Sequence, residues 1–440
     1  MFGYYLDLAL RSLKRNKVLT ALMVLAIAVG IGTSMTTLTV MHLLSGDPIP
    51  ARSSMLFYPQ VDPDTSRAEH REPGDMMDYH SAVDLWRAQR ADRQALLAQS
   101  DVRLRVPDLN LPVLITHSLS TTTDFFPMFD VPFQYGGPWQ PSDDENRARV
   151  VVISAHLNDK LFGGANSVGR TLRLRDTDVR IVGVLKPWRP SPQFYAVAGG
   201  RFAHGNTADF YAKPEDLYLP FFSGMEINAG SFGVFNCWIV PEDYGKLENA
   251  PCIWITMWVE LRDPAKVDAY ARFLADYAAQ QKTLGRFTHA DNTRLRNLMQ
   301  WLEYNQVVPS DVRLQTWLSF AFLAICLFNT VGLLLAKFLR RSGEIGVRRA
   351  LGATRGAVFA QCLVEAGMIG LLGGIGGWLF TLLGLWLVRQ QPAAYADLAH
   401  LDIAMFLITF VLAIFSSLLA AALPALRASR IPLGLQLKTL

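Results

Sequence analysis

The sequence lacks the groups of residues that carry most enzyme chemistry. It contains four cysteines in 440 residues, and none of them stands at metal-ligand spacing. The acidic triplet Asp143, Asp144 and Glu145, beside Pro141, is interpreted as a solvated loop. Neither an H-E-x-x-H motif nor a Ser/His/Asp arrangement can be drawn from the scattered histidines His70, His80, His117, His156, His204 and His289. We therefore expect no catalytic, cofactor-binding or metal-binding residues in this chain.

Charged residues are missing from a long stretch near the amino terminus. Residues 18–44 contain no Asp, Glu, Lys or Arg and exceed the roughly 20 residues that cross a bilayer. Three further apolar runs at 314–339, 367–388 and 403–423 complete a prediction of four transmembrane helices. Residues 1–17 are typical of a cytoplasmic amphipathic helix at the membrane surface. Basic residues at each predicted inner flank place both termini in the cytoplasm.

The segment between the first two predicted spans differs in charge from the rest of the chain. Residues 45–313, the inserted domain, hold 33 acidic and 28 basic residues, whereas the remainder holds 5 acidic and 14 basic residues. The basic residues cluster at membrane boundaries, which argues for a lipid membrane and against nucleic acid as a partner. The inserted domain is predicted to be exported, and only short segments at 389–402 and 424–440 follow the third and fourth spans.

Helical and extended patterns alternate within the inserted domain. Residues 74–100 are predicted to be helical, with a core formed by Met77, Val83, Leu85, Trp86, Leu96 and Leu97. Residues 102–115 and 171–185 alternate as strands do, and 264–281 and 293–307 are predicted as helices. Mixed helices and strands predict an α+β domain.

A basic segment, residues 340–366, lies between the second and third spans. It reads E-I-G-V-R-R-A-L-G-A-T from Glu344 to Thr354 and combines charge with an apolar stripe at helical spacing. This segment resembles the cytoplasmic signature of MacB-like and FtsX-like ABC-transporter permeases. The resemblance implies a coupling loop that docks on a separate ATPase through Glu344, Ile345, Gly346, Arg348, Arg349, Leu351 and Gly352. The alternative is a basic segment held by anionic lipid at about 1 kcal/mol per cation.

The resemblance extends into the inserted domain and the carboxy terminus. Residues 120–138 and 150–185 are similar to the MacB-type periplasmic region, and P-A-L-R-A-S-R-I-P-L from Pro424 is similar to the family's tail. One turn differs from a P-loop motif at a single residue; it consists of Gly164, Gly169, Arg170 and Thr171. We reject nucleotide binding there, because Arg170 replaces the required Lys and a strand is predicted to follow. The glycines are interpreted as tight turns with positive φ.

Several polar and small residues interrupt the apolar runs. Glu365 matches a glutamate of the family, which implies an orienting ion pair at the membrane edge, with proton transport as the alternative. Asn329 is interpreted as a helix-packing or dimer contact. The glycines Gly370, Gly373, Gly374 and Gly377 form i,i+4 pairs that allow helix backbones to approach closely.

Two of the cysteines, Cys237 and Cys252, lie in the inserted domain. A disulfide between them and a pair of free buried thiols both fit the sequence, and we favour the disulfide. Closing a loop of about 15 residues would contribute roughly 3 kcal/mol in the chain-entropy model.

Membership of this permease class implies a membrane protein of the inner membrane with four transmembrane helices and a large periplasmic domain. It implies a dimeric unit, homodimeric or paired with a related permease, that binds two copies of a cytoplasmic ATPase carrying ATP and Mg. A periplasmic adaptor and an outer-membrane duct are further expected partners, and peptides or small toxic compounds are the expected cargo. A lipoprotein-releasing permease, an FtsX-type regulator of a cell-wall hydrolase and a membrane sensor without ATPase remain alternatives.

Overall fold

The computed structural model describes residues 2–66, 72–107, 112–199, 209–308, 310–391, 395–399 and 403–430. The chain forms two compact units. One comprises Met1–Ser45 with Val308–Leu440 and is called the membrane unit below; the other, Gly46–Val307, is the inserted domain.

The described residues form helices and strands in both units. The helices are α1 (Phe2–Arg15), α2 (Lys17–Ser45), α3 (Tyr79–Arg87), α4 (Phe125–Met128), α5 (Pro141–Glu145), α6 (Ala155–Phe162), α7 (Phe221–Ile227), α8 (Pro264–Thr283), α9 (Leu298–Tyr304), α10 (Ser310–Arg340), α11 (Ser342–Ala350), α12 (Arg355–Arg389) and α13 (Ile403–Arg430). The strands are β1 (Leu56–Gln60), β2 (Arg93–Arg105), β3 (Leu114–Thr121), β4 (Phe133–Gly136), β5 (Val150–Ile153), β6 (Thr171–Leu174), β7 (Thr177–Leu185), β8 (Leu217–Pro220), β9 (Asn236–Cys237), β10 (Cys252–Ile253), β11 (Thr256–Glu260) and β12 (Arg294–Asn297).

Four long apolar helices form the membrane unit. Within the described residues, α2, α10, α12 and α13 are long and apolar enough to cross a membrane. Met23, Ile27, Ile31 and Met35 recur every four residues along α2 and are buried against the other helices. The prediction of four transmembrane helices, with a mixed domain inserted after the first, is therefore confirmed.

Two of these helices are longer than their apolar runs. The third begins at Arg355 rather than at residue 367, because the Thr354 hydroxyl accepts a hydrogen bond from the Ala357 amide and caps it. The fourth continues as a helix through Pro424 to Arg430, so the first part of the predicted tail is helical. Residues 392–394 and 400–402 of the predicted short segment 389–402, and 431–440 of the predicted segment 424–440, lie outside the described residues.

A mixed ten-strand sheet organises the described part of the inserted domain. Its order is β12-β1-β11-β2-β3-β8-β5-β7-β4, with β6 paired to β2 and β7. β3 runs parallel to β8, and β5 runs parallel to β7, while the other pairs are antiparallel. One core of this domain packs α3 and α8 against the sheet, and another packs α6 beside β5 and β7. The predicted α+β class is confirmed.

Two helix predictions in this domain are partly wrong. The segment 74–100 contains α3 but then forms β2 from Arg93 onward, and 293–307 begins with β12 before α9. Residues 94–98 of β2 are all buried, so the strand lacks the alternation that marks a half-exposed strand. The six residues predicted as core, Met77, Val83, Leu85, Trp86, Leu96 and Leu97, are all buried as expected.

The P-loop-like turn connects α6 to β6. Gly164 and Gly169 have φ of +82° and +91°, which confirms the prediction of positive-φ turns. Strand β6, not a helix, begins at Thr171, and the Arg170 guanidinium lies over the Phe162 ring at 4.9 Å. The turn thus has neither the lysine nor the helix N-terminus that hold phosphate in a P-loop.

The small second sheet carries a disulfide. β9 and β10 pair antiparallel with Cys237 opposite Cys252, and the two sulfurs are bonded. Cys252 is buried in the domain core, so the bond ties the β9 segment to that core.

The acidic triplet is not a solvated loop. It lies in α5, and Asp144 is 1% exposed. The Asp144 carboxylate accepts hydrogen bonds from the Thr123 amide and from Trp139 Nε1, both at 2.8 Å. Burial raises the pKa of Asp144 to about 7, although these two donors oppose the rise.

The raised pKa makes the stability of the inserted domain depend on pH. Between about pH 4 and pH 7 the folded state keeps the Asp144 proton that the unfolded state releases, so this group's contribution to stability falls as pH rises and is constant above about pH 7. We expect the free energy of urea unfolding of the native domain, residues 46–307, to fall between pH 4 and pH 7 by up to about 4 kcal/mol more than that of the Asp144→Asn domain, so the native domain has the steeper slope of stability against pH.

The exposed neighbour Glu145 supplies a matched control for this experiment. Glu145→Gln makes the same chemical change and should keep the native slope. Equal slopes for native and Asp144→Asn domains would contradict the assignment of the proton to Asp144.

Candidate functional site

The segment between the second and third spans folds as a short helix between two turns. α10 ends at Arg340 and α11 begins at Ser342, so Arg341 forms the bend. After α11, Gly352 adopts φ of +103°, which a side chain rarely tolerates, and Thr354 then caps α12. The predicted surface helix and the turn at Gly352 are both present.

One face of α11 packs against the membrane helices. Ile345 packs against the core of the membrane unit, and Gly346 is buried. Arg348 donates a hydrogen bond to Gln361 on α12 at 3.0 Å. These three residues, predicted to touch an ATPase, attach α11 to its own chain.

The other face of α11 and the turn after it are exposed on the surface of this chain. Leu351 is 84% exposed and Val347 is 52% exposed, so two aliphatic side chains lie on the surface beside the charged ones. Arg349 is partly exposed, and Gly352 is exposed. Of the residues predicted to couple to an ATPase, Leu351 is therefore the apolar side chain that is most open to a partner.

Glu344 is held by three arginines of its own chain. Arg341 binds it through Nε and Nη2 at 3.2 and 3.1 Å, and Arg348 Nη2 lies 2.9 Å away. Arg15 of α1 approaches to 3.5 Å. The hydrogen bonds from Arg341 hold the pKa of Glu344 below its usual value. Glu344 therefore anchors α11 and is not an unpaired charge for a partner.

Glu365 lies at the centre of a buried ion cluster. Its carboxylate is 2.5 Å from Lys337 Nζ and 3.1 Å from Arg341 Nη1, and it accepts a hydrogen bond from the Ser12 hydroxyl. The Lys337 and Glu365 side chains are 0% and 2% exposed. Because a single buried ion is costly, these charges are strongly interdependent.

Arg341 joins the two acidic groups. Its Nη1 reaches Glu365 and the Ser12 hydroxyl, while its Nε and Nη2 reach Glu344. One guanidinium therefore connects α1, α11 and α12 at the end of α10. This bidentate, multi-partner geometry suits arginine and cannot be reproduced by lysine.

Sequence reasoning identified Glu365 but missed Lys337 and Ser12. Lys337 lies inside the apolar run of the second span, and Glu365 lies at the start of the third. Two opposite charges inside apolar segments are expected to pair, so this signal was available for Lys337. Ser12 had no such signal.

The glycines of α12 lie in close helix contacts on two sides. A Cβ on Gly370 or Gly374 would approach Ser417 or Ala413 of α13 to 3.0 Å or less. A Cβ on Gly373 or Gly377 would come within 2.6 or 2.9 Å of Ile27 or Ile31 of α2. Each predicted i,i+4 pair thus faces one neighbouring helix.

Asn329 faces away from the other helices. It is exposed on α10, whereas its neighbour Thr330 is fully buried and donates to the Cys326 carbonyl. The structure does not place Asn329 in a helix contact within the described chain. Its interpretation as a dimer contact remains a prediction.

Comparison with known families and proteins covers most of the chain. Residues 20–276 match the MacB-like periplasmic core domain, and residues 317–433 match the FtsX-like permease C-terminal domain. The two matches together include most of α2, the inserted domain as far as residue 276, α10 from residue 317, and all of α11, α12 and α13.

Curated relatives match this chain at low identity. The "Macrolide export ATP-binding/permease protein MacB 1/2" of Paracoccus denitrificans is 21% identical over 327 residues, covering 72% of this chain and 42% of the relative. The "Pyoverdine export ATP-binding/permease protein PvdT" of Pseudomonas aeruginosa is 23% identical over 278 residues, covering 62% and 36%. The chain spans between 33% and 42% of the length of such relatives.

Solved structures also show a weak likeness to this chain. The crystallised periplasmic region of MacB from Actinobacillus actinomycetemcomitans has 12% identity and a TM-score of 0.36, covering 57% of this chain and 92% of that one. The extracellular domain of the noncanonic ABC-type transporter YknZ from Gram-positive bacteria has 13% identity and a TM-score of 0.34, covering 55% and 100%.

Proposed function

Because the chain belongs to the MacB/FtsX-like family of ABC-transporter permeases, we propose that it couples a separate cytoplasmic ATPase to movement of the inserted domain. The observation that carries this proposal is the position of α11. Its exposed end presents Leu351, while its attached face is joined through Arg341 to the buried Lys337–Glu365 pair. A push on the exposed end therefore acts directly on charged contacts of α10 and α12.

The proposed mechanism is mechanical, and the ATP and Mg belong to the partner. Closure of an ATPase dimer displaces α11, and Arg341 transfers the displacement to Glu365 on α12 and to the end of α10. α10 follows the inserted domain directly in the sequence, so it links the membrane unit covalently to that domain. The chain itself supplies positioning residues and no catalytic group.

The proposed assembly contains two permease chains in the inner membrane, with both termini in the cytoplasm and the inserted domain in the periplasm. Asn329 supports a second permease, identical or related, because an exposed amide on a spanning helix is costly in lipid and is satisfied by a neighbouring helix.

We propose efflux of small molecules or peptides as the transport function. The relatives' names refer to export of macrolides and of pyoverdine, and these two relatives align with 72% and 62% of this chain. A periplasmic adaptor and an outer-membrane duct would complete such a route. Release of lipoproteins and control of a cell-wall hydrolase are the competing uses of the same machinery.

Copurification followed by turnover measurement tests the proposal. The tagged full chain is isolated from membranes of its own host, reconstituted in lipid nanodiscs and assayed for ATP hydrolysis with Mg and with a chelator. We expect a copurifying ATPase whose turnover requires Mg. Arg170→Ala in the P-loop-like turn should leave that turnover unchanged. Absence of any ATPase from the native preparation would contradict the proposal and favour a sensor.

A further inference from the structure

The inserted domain contains a polar cleft that the coupling function does not use. The cleft has a volume of about 370 Å³ and lies beside β2 and β3. Gln99, Asp101 and His117 project from one face of this strand pair, since Gln99 and Asp101 are two residues apart and Asp101 lies opposite His117. Gln193 and Glu215 form another part of its wall. A cleft of this size accommodates a small organic ligand.

Glu215 is the buried charge of this cleft. It is 3% exposed, and it accepts hydrogen bonds from Gln99 Nε2 at 2.7 Å, the Tyr195 hydroxyl at 2.8 Å and Gln193 Nε2 at 3.3 Å. All three donors are neutral. A buried carboxylate is normally balanced by a cation, and among the residues that the structure describes Glu215 has no ion-pair partner. Burial accordingly raises the pKa of Glu215.

The described cations that line the cleft form no ion pair with Glu215, and electrostatic attraction to His117 only partly opposes the rise in the pKa of Glu215 that burial causes. Lys213 also lines the cleft but makes no ion pair with Glu215 in the described structure. His117 Nδ1 is 2.6 Å from Asp101, and both of these side chains are largely exposed. The described residues also bring together no group of three His, Cys, Asp or Glu that could hold a metal ion. The cleft therefore favours an organic cation over a divalent metal.

We propose that this cleft binds a small organic primary amine, with the ammonium group against the Glu215 carboxylate. Phe210, Ala196 and Val234 line the same cleft and would contact an apolar body attached to the amine. Gln99 and Gln193 hold Glu215 in place and leave it lone pairs for the ammonium hydrogens. This site lies wholly within the inserted domain and does not rest on the proposed coupling to an ATPase.

Equilibrium dialysis with two matched probes tests the site. The full chain in lipid nanodiscs is dialysed against 2-phenylethylamine or against 2-phenylethanol, and partitioning into empty nanodiscs is subtracted. The probes differ in the ammonium group and share the aromatic body. We expect the native chain to bind the amine at least about tenfold more tightly than the alcohol.

Variants then assign that preference to one carboxylate. Glu215→Gln should reduce the amine preference to within about twofold, whereas Glu215→Asp, which keeps the charge, should retain most of it. Glu226→Gln makes the same change as Glu215→Gln on an exposed carboxylate paired with Arg147 and Arg149, and it should bind as the native chain does. Thermal unfolding verifies that each variant is folded.

Two results would overturn the proposal. One is equal binding of amine and alcohol by the native chain, which needs no variant and is independent of folding defects. The other is an amine preference that survives in folded Glu215→Gln. Because neither result involves ATP hydrolysis, failure of this site is distinct from failure of the coupling proposal.

Discussion

Glu365→Gln is expected to destabilise the α10–α12 contact at the end next to α11 by about 3–5 kcal/mol, because it leaves the Lys337 ammonium buried without its counter-charge. The substitution keeps the size of the side chain, so the loss reports charge and not packing. Hydrogen exchange of the first turns of α12, measured on the full chain in nanodiscs, should become at least about a hundredfold faster.

The neighbouring acidic residue provides a control for this prediction. Glu344 is about one-third exposed and shares the same Arg341, so Glu344→Gln should cost at most about 1 kcal/mol. Adding Lys337→Met to Glu365→Gln removes the stranded ammonium and should restore slow exchange. The buried-pair explanation fails if Glu365→Gln and Glu344→Gln accelerate exchange equally, or if the second substitution gives no recovery.

Leu351→Asp is expected to abolish recruitment of the ATPase and the turnover it supports. Leu351 is 84% exposed and touches little of its own chain, so the change should leave the membrane unit folded. A carboxylate at the centre of an apolar contact loses the burial of leucine and adds an uncompensated charge, which together cost several kcal/mol of binding. The measurements are copurification and Mg-dependent ATP hydrolysis in nanodiscs.

An exposed leucine in the inserted domain gives the matched control for Leu351. Leu284 is 65% exposed just after α8, and Leu284→Asp makes the same chemical change there. Recruitment and turnover should be native in that variant. A double variant with Glu344→Lys and Leu351→Asp would also lose the contacts of Glu344 with Arg341 and Arg348, and α11 itself could then be damaged. The single substitution Leu351→Asp keeps those contacts and therefore tests docking alone. Native recruitment by Leu351→Asp would remove α11 as the docking element.

The membrane helices could be predicted because apolar length alone decides them. The inserted domain was harder. The segment from Arg93 to Ser100 contains Ala95, Leu96 and Leu97, which favour helices in isolation, yet it forms a strand between β3 and β11. Both faces of that strand are covered, so no alternation marks it. Tertiary burial overrode local preference there.

The candidate site shows the same limit of sequence reasoning. Glu344 and Leu351 both belong to the family motif, but the sequence cannot show that one is held by Arg341 while the other is open. Glu365 was recognised as a charge near the membrane edge. Its partner Lys337 depends on how α10 and α12 are aligned, and that alignment is set by the packing of both helices against α2. The sequence could therefore predict that charges in the apolar segments pair with each other, but it could not identify Lys337 and Glu365 as the two partners.

The length of α12 has a consequence for how a displacement would travel. At 1.5 Å per residue, its 35 residues extend about 52 Å, whereas the hydrocarbon core of a bilayer is about 30 Å thick. No proline interrupts it, and Thr354 caps its first turn. Roughly 15 residues of this unbroken helix therefore project beyond the hydrocarbon. Tilting the end beside α11 would swing the far end in the opposite direction, as a lever does about its fulcrum.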